Sequence, residues 1–322
     1  MCTLTPSSRV FPTDLAKLDL SNFVLTKPLA NRFRKVVSGS TDGKPPWVAS
    51  IEEGDDEGLF GPESAVWEVH GSVSTIIGGI RALLLQAAHP AALGGVSEHS
   101  RYETDPMGRL AGTTRWLTMT TFGATSAVAS EAARVNAMHT RVTGTFDDKS
   151  GTNRAYAARD PRFLLWVHCA FTDAFLKSHL GLGYQIRHGA DAYVAEWSRS
   201  AVPLGLTAAP MSVAELESTL QRFRDDELVT SDVTRRVVSF ILNPPFSLAG
   251  RLFYRVLANA AIATMDPQDL TRLGIAPRGR VWLRVSRVLL DILSAILGHE
   301  SPSQKVARQR VARVRADAAA RQ

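Results

Sequence analysis

Along most of the chain, apolar residues return every three or four positions, and residue-by-residue alternation over strand lengths is nearly absent. The rhythm predicts helices over 76–86, 106–122, 126–142, 161–179, 190–201, 212–225, 231–242, 248–264 and 281–297. Start signals agree with it. Asp160-Pro161 opens one helix, and Ser212 with Glu215 forms a capping-box pattern before an apolar run. Loops are expected at 38–46, 52–63, 146–153, 181–189 and 203–210, and one short strand near 47–51. No internal repeat and no clear interdomain linker interrupts this pattern. The expected architecture is a single all-α, multi-helix domain over residues 61–301. An irregular N-terminal arm (1–60) precedes it, and a basic helix or tail (302–322) follows.

Composition fits a globular chain: of 322 residues, 45% are hydrophobic and 21% charged, enough to bury a substantial core. Cys2 and Cys169 are too few for a disulfide framework or, without histidine, a structural zinc site. The first twenty residues hold no signal-peptide core and no twin arginine, so a cytoplasmic location is expected. Arg81, His89 and Pro90 interrupt one long apolar stretch, and Arg284, Arg287 and Asp291 break another. Neither therefore reads as an uninterrupted membrane span of about 20 residues. Net charge is +6, yet from Arg272 onward eleven Lys or Arg stand against three Asp or Glu. The surplus thus belongs to the C-terminal part. There, Lys305, Arg308, Arg310, Arg313 and Arg315 share one broad helical face, by default a solvated one. Peripheral contact with an anionic membrane is the second reading of that face. Nucleic acid ranks behind it, since no stacking platform accompanies the charge.

Familiar catalytic motifs fail. Gly95-Val96-Ser97-Glu98-His99 lacks the last glycine of a nucleophile elbow, and Gly181-Leu182-Gly183 is no dinucleotide fingerprint. No E-x-x-H pair, H-E-x-x-H string or Walker lysine occurs. What remains is polar chemistry on helix faces. Arg109, Thr113, Trp116 and Thr120 share one face. His139 interrupts the stripe Val128, Ala132, Val135, Val142, and His168 lies between Leu164 and Phe171 with Phe175 beyond. A neutral imidazole in an apolar groove can bind haem iron, though such histidines are more often hydrogen-bonded core residues.

The strings around these positions carry a resemblance. Val66-Trp67, Arg81-Ala82-Leu83-Leu84-Leu85-Gln86, Ala88-His89-Pro90 and Gly95 to Ser100 form a first block. Asp105-Pro106, Gly108-Arg109-Leu110 and Thr113 follow, then Arg134-Val135 with Met138-His139-Thr140-Arg141-Val142, and Asp160 with Leu164-Leu165-Trp166-Val167-His168. Asn243-Pro244-Pro245, Arg251, Tyr254-Arg255 and an Arg-rich amphipathic helix complete it. In order and content this resembles the MpaB and latex-clearing (rubber oxygenase) family.

The resemblance implies a globin-like, all-α core holding haem b through one proximal histidine, and dioxygen-dependent cleavage of a double bond in an apolar, isoprenoid-like substrate. It assigns His139 as the iron ligand with His168 as the alternative. Arg109 and Thr113 become the pair near the haem, Arg109 also reaching a haem edge, and Glu98 the base. Two departures stand out: Gly112 replaces the lysine that precedes the threonine in latex-clearing enzymes, and the spacing of Glu98 to Arg109 is only approximate. Haem-dependent oxidation of another small natural product therefore stays open, as does a haem-free protein that binds an apolar ligand or a membrane.

Overall fold

Short polar side chains set where the helices begin. Ser64, Asp160, Ser212, Ser231 and Ser301 each accept a hydrogen bond from a backbone N–H of the first turn they precede. Ser231 with Thr234, and Ser301 with Gln304, form reciprocal capping boxes. At Ser212 the expected box is rearranged, because Glu215 accepts from Met211 N instead.

The structure, a computed structural model, describes residues 45–99 and 106–322; the side chains of 96–99 and 106–110 lie outside the description. Among the described residues the helices are α1 (Val48–Glu52), α2 (Ala65–His70), α3 (Thr75–Gln86), α4 (Pro90–His99), α5 (Pro106–Phe122) and α6 (Thr125–His139). An antiparallel hairpin, β1 (Thr143–Asp147) and β2 (Asn153–Ala157), leads to α7 (Pro161–Gly181) and α8 (Gly189–Ser198). A 3₁₀ helix (Arg199–Leu204) continues α8. Then come α9 (Val213–Asp226), α10 (Asp232–Leu242), α11 (Leu248–Ala263), α12 (Pro267–Leu273), α13 (Val281–Leu297) and α14 (Pro302–Ala319). The all-α class expected from the periodicity is what forms.

At the centre α3 packs along α7. Ser74 bonds His179, Gly78 abuts Phe175 and Arg81 pairs with Asp173, so the two helices run antiparallel. Gly78 permits the close approach: a Cβ there would sit 2.4 Å from Phe175 Cδ1. Neither Arg81 nor Asp173 reaches solvent. Lys177 bonds both Asp173 and Asp266, and Arg224 of α9 bonds Asp266 and Asp269, so one ionic network joins α3, α7, α9 and α12.

Three expectations are corrected. Residues 47–51 are not a strand; Trp47 and Ile51, four apart, are both buried by the one-turn helix α1. A hairpin forms where a loop was expected around 146–153. Its strands are largely exposed, so they carry no apolar alternation, and its turn is held by Asp148, which accepts from Ser150 N, Thr152 N and Arg154 Nε. That hairpin also ends α6 at His139, short of Val142, whose carbonyl instead accepts from Ala158 N.

The C-terminal arginines do not form a simple solvated face either. Helix α14 lies on α1, and Arg310 is 0% exposed. Its guanidinium donates to the carbonyls of Ile51, Asp56 and Phe122 (the last at 2.8 Å), satisfying carbonyls at the ends of α1 and α5 and in the loop between α1 and α2. Arg308 pairs with Glu300 and Arg315 with Glu57, while Arg313 caps the carbonyls of Glu52 and Gly54. Arg310→Ala strands several buried carbonyls at once and is expected to cost about 3 kcal/mol. Arg310→Lys should recover only part of this, since an ammonium cannot span the same fork. Urea denaturation at neutral pH measures both; a loss below about 1 kcal/mol for the alanine variant would refute the anchoring role.

Candidate functional site

Buried imidazoles are the chemically conspicuous groups of this fold, and their hydrogen bonds sort them. His70, at the end of α2, bonds Thr121 Oγ1 (2.9 Å) and Tyr193 OH (3.0 Å). His89 accepts from Ala92 N at 3.5 Å, capping α4, and meets Glu227 at 3.0 Å through Nε2. His179 bonds Ser74 through Nδ1 and donates from Nε2 to Gln185 O. All three use both ring nitrogens structurally. His139 and His168 differ: His139 Nδ1 and His168 Nε2 are sealed from solvent with no hydrogen-bond partner.

The helical periodicity of α6 explains the setting of His139. Val128, Ala132 and Val135 are buried on one face, and His139 follows half-buried in the last turn. Burial first, and Arg159 second, push its pKa below the ordinary histidine value. His168 sits deeper, among the buried residues of α7, and burial alone pushes it down to about 4. Its ring lies nearly parallel to Trp197 of α8, at 11° with centres 6.5 Å apart. Both imidazoles are thus neutral at pH 7, the form a metal ligand requires. No hydrogen bond or ring contact joins the two. Each helix leans on the 3₁₀ segment instead: Asn136 of α6 donates to Pro203 O at 3.1 Å, and Leu164 of α7 packs on Ala201 and Leu206.

Helix α5 is fixed to α6 through Glu131. This buried carboxylate accepts from Arg115 Nε of α5 at 2.8 Å and from Arg134 Nε and Nη2 of its own helix. Along α5, residues 111–118 are all half-buried, and the stripe ends at Thr120, whose hydroxyl is sealed and unpartnered. A Cβ built on Gly112 would meet no described atom within 4 Å. Thr113 lies on this helix, half-buried. Glu98 and Arg109 fall on α4 and α5, but their side chains, like His99, lie outside the described residues.

Two polar groups escaped the sequence analysis as site candidates. Thr120 belonged to the recognised stripe, yet its hydroxyl gave no sign of being left over. Trp197 carries a sealed, unpartnered indole N–H beside His168, and only its helical spacing from Tyr193 hinted at burial. Two surface clefts, of about 280 and 140 Å³, lie elsewhere. Glu68, Arg187 and Arg308 line one, Tyr184 and Arg287 the other, and none of the candidate residues borders either. No group of three or more His, Cys, Asp or Glu among the described residues could hold a metal ion.

Comparison with known proteins adds the chemistry. The family model for the catalytic domain of the ER-bound oxygenase mpaB/B′ and rubber oxygenase matches residues 67–295. No curated protein and no solved structure matches the chain. A match over most of the chain to an oxygenase family supports oxidoreductase activity, with dioxygen and a second substrate as reactants.

The buried neutral imidazoles make stability depend on pH. His70, lowered to about 3 by burial and by His179, and His168, lowered to about 4, stay neutral in the fold while the unfolded chain protonates near pH 6.5. Their contribution is complete above pH 6.5 and is lost as pH falls toward 4 and 3, by about 1.4 kcal/mol per pH unit per histidine at most. Urea midpoints measured between pH 7 and pH 4 should fall accordingly, and His168→Leu should flatten the slope. An unchanged slope would show that His168 is protonated in the fold.

Proposed function

Because the chain belongs to the catalytic-domain family of the ER-bound mpaB oxygenase and rubber oxygenase, we propose that it is a cytoplasmic haem b-dependent oxygenase. It cleaves a carbon–carbon double bond of an apolar, isoprenoid-like substrate. The balance is simple: one C=C and one O2 become two carbonyl groups, with no external reductant. The observation that carries this proposal is the sealed, unpartnered ring nitrogen of His139 on a helix whose face is otherwise apolar.

The residues present fit a haem ligand. A ring nitrogen without a partner, on an imidazole kept neutral by burial, has the lone pair that iron needs. Haem b, when bound, supplies an iron able to activate dioxygen. His139 would hold it, and Val128, Ala132 and Val135 keep water from the same helix face. His168 is the alternative ligand, but it is enclosed on α7, where a disc the size of a porphyrin has to displace packed core. Helix α5 is half-buried along 111–118, and no described atom lies within 4 Å of a Cβ built on Gly112, so it is the less enclosed of the two helices.

Arg109 and Thr113, four apart on α5, lie on one helix face. Their guanidinium and hydroxyl would donate hydrogen bonds to negative charge developing on oxygen, and Arg109 would also meet a haem edge. Glu98, on α4, would act as the base, returning the proton it takes so that the overall balance holds. Gly112 leaves this helix without the ammonium of the latex-clearing pattern. Oxidation of a different small apolar molecule on the same scaffold is therefore the second proposal.

Purified protein should show a Soret band with about one haem per chain. Colourless protein that fails to take up haemin refutes the haem assignment and leaves an apolar-ligand protein. His139→Ala should lose the haem and His168→Ala keep most of it, both checked for helicity; the opposite pattern moves the ligand to His168. Arg109→Ala and Thr113→Ala should keep the Soret band while carbonyl production from an isoprenoid such as squalene falls about 10²–10³-fold. Normal turnover in both removes their assigned role.

A further inference from the structure

Helix α13 carries two apolar stripes, separated on one side by Arg284, Arg287 and Asp291. Leu283, Ser286, Leu290 and Leu293 face the core, while Val281, Val285, Val288 and Ile292 form a second stripe on the opposite side. Positions i, i+4, i+7 and i+11 fall within about 60° of one another on a helix, so the stripe is continuous for roughly 16 Å. All four are exposed, Val281 at 57%. A continuous exposed apolar stripe beside charged residues is a mark of an interaction surface.

Its neighbour adds to the patch. Ser286 Oγ donates to Val256 O, and Arg278 Nε to Asn259 Oδ1, so α11 and α13 lie side by side and antiparallel. That register sets Leu252 and Leu248, 58% and 67% exposed, near the levels of residues 290 and 294, at the Ile292 end of the stripe. Around the apolar residues stand Arg251, Arg255, Arg280 and Arg284, all exposed and none paired with a carboxylate among the described residues. The acids of residues 246–298 are already engaged: Asp266 and Asp269 by Arg224, and Asp291 by Arg287.

We propose that α11 and α13 form a docking face for an anionic lipid surface, with the valine, leucine and isoleucine side chains entering the acyl boundary and the arginines meeting lipid phosphates. An interfacial surface requires this pairing of an apolar stripe with a cationic border. A second copy of the chain is the poorer occupant. A two-fold contact would set these arginines against the same arginines, with no free carboxylate to meet them. No helix among the described residues is long and apolar enough to cross a membrane, so the contact is peripheral.

The test is co-sedimentation of the full chain with vesicles of phosphatidylcholine alone, or with a third phosphatidylglycerol, at low and high salt. Wild type should bind the anionic vesicles, release with salt, and bind the neutral ones weakly. Arg251→Glu/Arg255→Glu/Arg284→Glu should weaken binding more than tenfold, given about fivefold per arginine near such a surface. Val285→Ser/Val288→Ser/Ile292→Ser should do the same. Leu248→Ser/Leu252→Ser provides an independent pair on the other helix, and circular dichroism checks that each variant folds. Lys305→Glu on α14 should bind as wild type. Wild-type protein that ignores anionic vesicles overturns the proposal, as do folded stripe and arginine variants that bind normally. A concentration-dependent dimer dissolved by the valine variants would also overturn it and assign the face to a second copy.

Discussion

The bond between Arg81 and Asp173 organises this protein. Placing two charges where neither meets solvent is costly, and the pair is tolerable only if its geometry is held on all sides. Gly78 lets α3 come close enough for the bond to form, and Lys177, Asp266, Arg224 and Asp269 extend it to α9 and α12. Hydrophobic contact alone would let α3 and α7 slide by a turn at little expense. A buried charge left without its partner would cost several kcal/mol, so the network fixes the register. Arg81 Nε and Nη2 keep no hydrogen-bond partner even so, which marks the network as a positioning device more than a source of stability.

With α7 fixed, the candidate site follows. Leu164, one turn before His168, rests on the 3₁₀ helix, and that helix also takes the Asn136 amide of α6. Glu131 then joins α6 to α5. Rotation of each helix is thus determined by a polar contact away from the candidate residues. Thr120, His139, His168 and Trp197 are left with sealed polar atoms on four successive helices. Native proteins seldom leave such atoms unsatisfied, and those that persist mark strain or function. Thr120, His139 and His168 fall on helices that the proposed haem chemistry uses, while Trp47, Arg81, Gln86 and Arg272 keep sealed polar atoms elsewhere.

Helical periodicity made most of this legible before any coordinates. Helices such as α3, α7 and α13 read correctly because each has a buried stripe deep enough to dominate its local composition. Elements whose stability is not written in apolar spacing were missed. The hairpin after α6 rests on Asp148 and on backbone pairing, with Tyr156 as its buried contact. Helix α1 is one turn long, and two residues cannot separate a period of 3.6 from a period of 2. His139 and His168 were visible as interruptions of apolar stripes. Their distinction from His70, His89 and His179 was not, since it lies in partners far along the chain. Arg310 was misread for the same reason: the carbonyls of Ile51 and Phe122 are 259 and 188 positions away.

Charge shows the difference between counting and placing. By count, the basic surplus belongs to the C-terminal segment, whose arginines were expected on a solvated face, with anionic-membrane contact as the second reading. In the fold, Arg310 is enclosed by carbonyls, Arg308 and Arg315 are paired with carboxylates, and Arg313 caps backbone oxygens. These guanidiniums already have their hydrogen-bond acceptors, and an anion would have to compete for them. Among the described residues Arg251, Arg255, Arg280 and Arg284 have no such acceptors, and they border exposed apolar side chains. The potential available to a partner is therefore concentrated on α11 and α13, although the sequence places its densest positive charge elsewhere.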